Sequence, residues 1–141
     1  MSQTGVTAFD STLQTTNVWL NDVLDRLGWQ DHHRAYHALR AVLHAMRDRL
    51  PVEQVAALAA QLPMLVRGFY YEGWHPQAKL PRERHKEEFL AHIAAAFRDD
   101  SDIDPGRITR AVLQVLQKHV SAGEVQSVKR CLPGELQELW P

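Results

Sequence analysis

A chain of 141 residues, 45% hydrophobic and 23% charged with 7 Gly and 7 Pro, has the size and make-up of one domain or two very small ones; a disordered, collagen-like or low-complexity chain is excluded. Sixteen Lys and Arg against 17 Asp and Glu leave a net charge of -1, so no chain-wide attraction to nucleic acid or anionic membranes is built in. The single cysteine, Cys131, rules out an internal disulfide, and the count that departs from average is histidine, at eight.

Met1 to Asp10 holds no Lys or Arg and no apolar stretch, so the parts of a secretory signal are missing. Apolar runs such as Ile93 to Phe97 fall far short of the ~20 residues of a bilayer span. A cytoplasmic protein without a membrane segment is expected, with residues 1–14 forming a flexible N-terminal arm.

The first helix is expected over Asn17–Leu27, with Trp19, Leu20, Val23, Leu24 and Leu27 at helical spacing, Thr16 as N-cap and Gly28 as the left-handed terminator. A second runs from about His32 to Arg49, with Ala35, Leu39, Val42, Leu43, Met46 and Leu50 on one face. Pro51 opens a third helix to Gln61, and Pro63 a short fourth through about Tyr70. Further on, Asp104-Pro105 reads as an N-cap followed by Pro at the first helical position, and Ser121 with Glu124 as a capping box. No segment alternates with period two. Sliding the chain by 70 residues aligns Trp19–Tyr70 with Phe89–Trp140 without a gap. Arg40-Ala41-Val42-Leu43 then falls on Arg110-Ala111-Val112-Leu113, and Leu62-Pro63 on Leu132-Pro133. The expected fold is all-α: one helical domain over residues 15–141, built of unit one (16–71), a connector (72–85) and unit two (86–141).

Four features invite chemistry. His33, His37 and His44 lie within about 40° of each other on the second helix, roughly 140° from its apolar centre, and should face solvent. His33 and His37 have the spacing that presents two imidazoles to one metal, yet no cysteine or HExxH motif accompanies them. A solvated His-rich face is the plainer reading, and neither metal nor cofactor is expected. Arg40 and Arg110 are the charged residues shared by the two units, readable as ties to acids such as Asp22 or Glu53, or as a pair holding an anionic ligand. In the run Phe69 to Pro76, Phe69 and Tyr70 have apolar counterparts at Leu139 and Trp140, whereas Tyr71, Trp74 and His75 have none. Those three either glue the connector to the units or form a recognition surface. The basic cluster Lys79–Lys86 is interrupted by acids and lacks interleaved aromatics, so nucleic-acid binding is not expected. Asp99 to Asp104 lacks the central Gly and terminal Glu of a calcium loop.

Three stretches, LQTTNVWL (Leu13–Leu20), RAYHALRAVL (Arg34–Leu43) and QLPMLVRGFYYEGW (Gln61–Trp74), with Glu87–Leu90, Leu132-Pro133, Leu136, Leu139 and Trp140, resemble the prokaryotic domain of unknown function 2267 family. The resemblance spans nearly everything past the N-terminal arm. It implies a bacterial, soluble, helical protein with no assigned activity, and it brings no catalytic residues. Gly-rich phosphate loops, GxSxG and zinc quartets are also missing from the sequence. The expected function is therefore non-enzymatic: interaction with a protein partner or self-association through Tyr71, Trp74 and His75. The alternative is small-ligand or metal binding through His33, His37, His44, Arg40 and Arg110 and the cleft between units.

Overall fold

Prolines, left-handed glycines and capping side chains divide the described residues into eight α-helices, with no strand among them. The computed structural model describes residues 3–76, 80–100 and 102–141. In chain order the helices are α1 (Thr7–Leu27), α2 (His32–Arg47), α3 (Val52–Ala59), α4 (Met64–Tyr71), α5 (Lys86–Ala96), α6 (Pro105–His119), α7 (Ala122–Arg130) and α8 (Gly134–Gln137).

The start of α1 corrects the expected arm and the expected Thr16 cap. The helix begins at Thr7, and Thr16 is a buried residue in its middle. No helix breaker lies between Thr7 and Leu27, and Asp10 in the first turn favours the positive helix end. Thr4 braces that turn, its main-chain N–H and hydroxyl donating to Asp10 Oδ1 at 3.0 and 2.8 Å. Gly28, at φ +69°, ends the helix in the left-handed conformation a side chain resists. Trp29 then lies 6.2 Å from Phe97, with the Arg34 guanidinium carbon 3.9 Å over its ring.

Asp31 caps α2 by accepting from the main-chain N–H groups of His33 and Arg34. Pro51, Pro63 and Pro133 precede their helices as extended caps whose carbonyls accept the first helical bonds. Asp104 accepts from the Arg107 N–H at 3.2 Å, with Pro105 at the first helical position. The capping box at Ser121 is half formed. Its hydroxyl accepts from the Glu124 N–H at 3.2 Å, but the Glu124 carboxylate accepts instead from the Gln54 amide, and the Ser121 N–H donates to Gln61 Oε1 at 3.0 Å. Packing of α7 against α3 brings those competing partners within reach.

Helices α2 and α6 form the centre. They pack on each other, and α1 and α5 each pack on both. Helix α4 lies against α1 and α2, α8 against α5, and α7 against α3 and α6. Every helix contributes to one continuous buried cluster running from Trp19 to Trp140, so the two halves of the chain share a single core. Its fully enclosed side chains include Trp19, Tyr70, Leu39, Leu43 and Ile93. Among the described residues, no helix is long and apolar enough to cross a membrane.

Candidate functional site

Because α2 is covered by α1, α4, α5 and α6, the side opposite its main apolar face is not free. This overturns the expectation of a solvated His33/His37/His44 stripe, which assumed one covered face. His33 alone is exposed, its ring 6.1 Å from that of Tyr36. His37 Nε2 donates to the Ala96 carbonyl at 2.5 Å, at the C-terminus of α5. His44 Nε2 donates to the Phe69 carbonyl of α4 at 2.6 Å. Two of the three histidines are thus ties from the central helix to neighbouring backbone. Burial pushes the His44 imidazole below its ordinary range, a shift that Arg47 and Arg40 reinforce. In the neutral ring the bond to the Phe69 carbonyl requires the proton on Nε2.

The same two imidazoles line a cleft of about 320 Å³ between α2, α5 and the segment before α5, together with Arg40, Arg49, Glu83 and His92. Ala41 and Ala45 of α2 line it between the longer side chains. Arg49, just past the end of α2, is 5% exposed. Its Nη1 donates to the Ala45 carbonyl at 2.6 Å, its Nη2 to the Glu83 carboxylate, and its guanidinium carbon sits 5.2 Å over the Phe89 ring. Arg40 Nη2 donates to Glu72 Oε1 at 2.9 Å, so its acid partner is neither Asp22 nor Glu53 as expected. The Nε–H groups of both arginines are buried and meet no acceptor among the described residues. Glu83 also accepts from His92 Nε2, at 3.1 and 3.3 Å. Burial acts most strongly on Glu83 and would raise its pKa, but His92 and Arg49 together hold it below the ordinary carboxylate range.

The remaining candidates lie elsewhere. Arg110 is exposed and pairs with nothing among the described residues. Tyr71 and Trp74 are half-buried against the core with ring centroids 5.5 Å apart, and His75 is exposed. Trp74 N–H donates to the Tyr71 carbonyl at 2.9 Å across a turn at Gly73. That turn is pinned from inside by Arg47, 4% exposed, whose Nη1 donates to the carbonyls of Tyr70 and Glu72 at 2.7 and 3.0 Å. The structure therefore brings His37, His44 and Arg40 into one cleft and leaves His33, Arg110, Tyr71, Trp74 and His75 outside it.

Two further clusters are not evident from the sequence. Trp19 stacks on His119 at 5.0 Å, and Asp22 accepts from His119 Nε2 at 2.6 Å and Lys118 Nζ at 3.2 Å. Burial would raise the Asp22 pKa, but the hydrogen bonds from His119 and Lys118 hold it below the usual range. His85, Glu87 and Glu135 place three possible metal donors within 4.8 Å of one another. His85 and Glu87 are exposed and Glu135 half-buried, and His85 Nδ1 donates to Glu135 Oε2 at 2.5 Å. That ion pair engages two of the three donors. In the acidic run, Asp100 pairs with Arg34 at 2.6 Å and Asp104 caps α6, while Ser101 and, in the basic cluster, Lys79 lie outside the described residues. Cys131 is half-buried 3.9 Å from Gln54 Oε1, and burial pushes its thiol up, away from reactivity.

A family described as an uncharacterized conserved protein (DUF2267) matches the chain over residues 16–139. No curated protein matches it at a significant level.

Proposed function

Since the chain belongs to the DUF2267 family of uncharacterized conserved proteins, we propose from its geometry that it is a non-enzymatic binding protein whose cleft between α2 and α5 takes a small anionic ligand. The observation that carries this is Arg49: a guanidinium 5% exposed whose Nε–H has no acceptor among the described residues. Leaving a buried donor unsatisfied costs about 1–3 kcal/mol, and more for a charged group. Arg40, 34% exposed at the same cleft, likewise leaves its buried Nε–H without an acceptor among the described residues. A volume of about 320 Å³ is at the small end of ligand pockets and suits a compact metabolite. Calorimetry at fixed ionic strength against a panel of small anions tests the reading. One-to-one saturable binding is expected; no heat and no melting shift with any anion would refute it.

A second reading, interaction with a protein partner or self-association, draws on a different surface. Phe9, Met64 and Leu65 are 50%, 50% and 42% exposed. Thr12 on α1 accepts from the Leu65 N–H at 2.9 Å, so the N-terminal end of α1 and the start of α4 form one apolar edge. Sedimentation of the wild type against Phe9→Glu decides the self-association form. A dimer lost in the variant supports it, and a monomer at every concentration removes it.

The fold itself is read as two related four-helix units offset by 70 residues. Helices α1 to α4 fall on α5 to α8 under that shift, and α1 against α6 has its counterpart in α5 against α2. Trp19 with His119 corresponds to Phe89 with Arg49, an aromatic ring facing a basic group in each half. Gln54 and Glu124, equivalent positions, bond to each other. A bacterial, cytoplasmic setting belongs to the same reading, which a lone unpaired cysteine fits.

A further inference from the structure

We infer that the cleft recognises a carboxylate, and that Glu83 is the chain's own occupant of that position, displaced when a small carboxylic acid binds. The inference rests on the anion-binding reading above and names its ligand class and its internal competitor.

Carboxylate chemistry is written into the contacts already made. The edge of a guanidinium formed by Nε and the Nη on the same side is a two-pronged donor matched to a carboxylate. On Arg49 that edge is Nε with Nη2. Glu83 fills only Nη2, and Nε is left without an acceptor. On Arg40 the same edge is half filled again, Nη2 by Glu72 and Nε by nothing among the described residues. A side chain tethered to its backbone has satisfied half of each fork. A free acid, able to rotate and translate, can satisfy both prongs of Arg49 while keeping the His92 donor that Glu83 now uses. A second acidic group then has Arg40 to reach for, which lines the same cleft. The ligand is a compact di- or tricarboxylic acid.

Glu83 is also placed so that leaving costs little. It belongs to a segment outside any helix. Leu80, Pro81, Arg82 and Arg84 around it are exposed, and Glu83 alone is half-buried. Among the described residues, residues 80–84 make no main-chain hydrogen bond, and their polar ties are those of the Glu83 side chain to Arg49 and His92. Releasing the carboxylate therefore breaks no secondary structure. While it is docked it competes for the site. If it holds the position about nine-tenths of the time, it lowers the apparent affinity of an external acid about tenfold.

The test is isothermal calorimetry of the full chain at fixed pH and ionic strength, with citrate as probe and inorganic phosphate as comparison. Wild type, Glu83→Gln and Arg40→Gln are compared, each checked for helicity. Citrate is expected to bind one-to-one, about tenfold tighter in Glu83→Gln and at least tenfold weaker in Arg40→Gln. Trypsin should cut after Arg82 and Arg84 faster when citrate is present. Phosphate binding in place of citrate overturns the carboxylate assignment while the anion-binding reading stands. Citrate affinity and cleavage unchanged by Glu83→Gln overturn the displacement. Citrate binding indifferent to Arg40→Gln places it outside the cleft, and no binding of either anion to wild type and Glu83→Gln overturns both readings.

Discussion

Replacing Arg47 with methionine removes a buried side chain that ties the end of α4 to the start of the connector. Methionine keeps the aliphatic stem that Arg47 buries but offers no donor. The carbonyls of Tyr70 and Glu72, which accept from Nη1 at 2.7 and 3.0 Å, then lose that charged donor. Each acceptor left unsatisfied in a buried setting costs about 1–3 kcal/mol, partly offset because a charge no longer has to be kept out of water. The expected loss is about 2–4 kcal/mol, a large share of the ~5–15 kcal/mol that holds a domain together. At this chain length it corresponds to a fall in Tm of roughly 6–15 °C. Urea unfolding followed by far-ultraviolet circular dichroism reads it directly. Asp48→Asn is the control, because Asp48, which accepts from Arg47 Nε at 2.9 Å, is 42% exposed, and its loss should cost about 0.5 kcal/mol or less. Stability of Arg47→Met within about 0.5 kcal/mol of wild type would refute the argument that these bonds pin the turn.

Further perturbations have equally definite outcomes. Tyr70→Phe deletes the hydroxyl that donates to the Val55 carbonyl at 3.0 Å inside the core and should cost about 1–2 kcal/mol in the same urea experiment. His44 has a depressed pKa in the folded state, so the unfolded chain binds the extra proton first as pH falls. Its contribution is fully present above the ordinary histidine range and declines as pH drops through the unfolded value toward the folded one. His44→Gln should flatten that part of the stability profile, and an unchanged slope would count against burial as the cause. A fragment of residues 1–76 should remain largely unstructured by circular dichroism, because α1 and α2 would lose their packing on α5 and α6. Cooperative folding of that fragment would contradict a shared core.

Much of the fold is legible in local chemistry. Gly28 and Asp104-Pro105 act where their backbone preferences place them, and the apolar spacing of α2 and α6 survives as buried residues. The early start of α1 is written more faintly. Phe9 and Leu13 extend the Leu20–Leu27 stripe at helical spacing, but short polar residues between them read as an arm. The histidines illustrate a deeper limit. A helical wheel assumes one covered face, whereas α2 is central and packs on several helices. Arg47 and Arg49 were the missed signal. Both lie about 80° from the apolar centre of α2, close enough to be drawn inside, but their acceptors are fixed only by tertiary folding. Nothing local announces that Glu83, on the far side of the connector, will reach Arg49.

Histidine-resolved NMR tests the central claim, that the cleft between α2 and α5 is the binding site. Imidazole signals are followed while citrate is added at constant pH and ionic strength. The account predicts saturable shifts at His44 and His92, which line the cleft, with a common dissociation constant, and little change at His32, His75 and His85, which are exposed outside it. Shifts that never saturate, or that fall on the exposed histidines and spare His44 and His92, would contradict it.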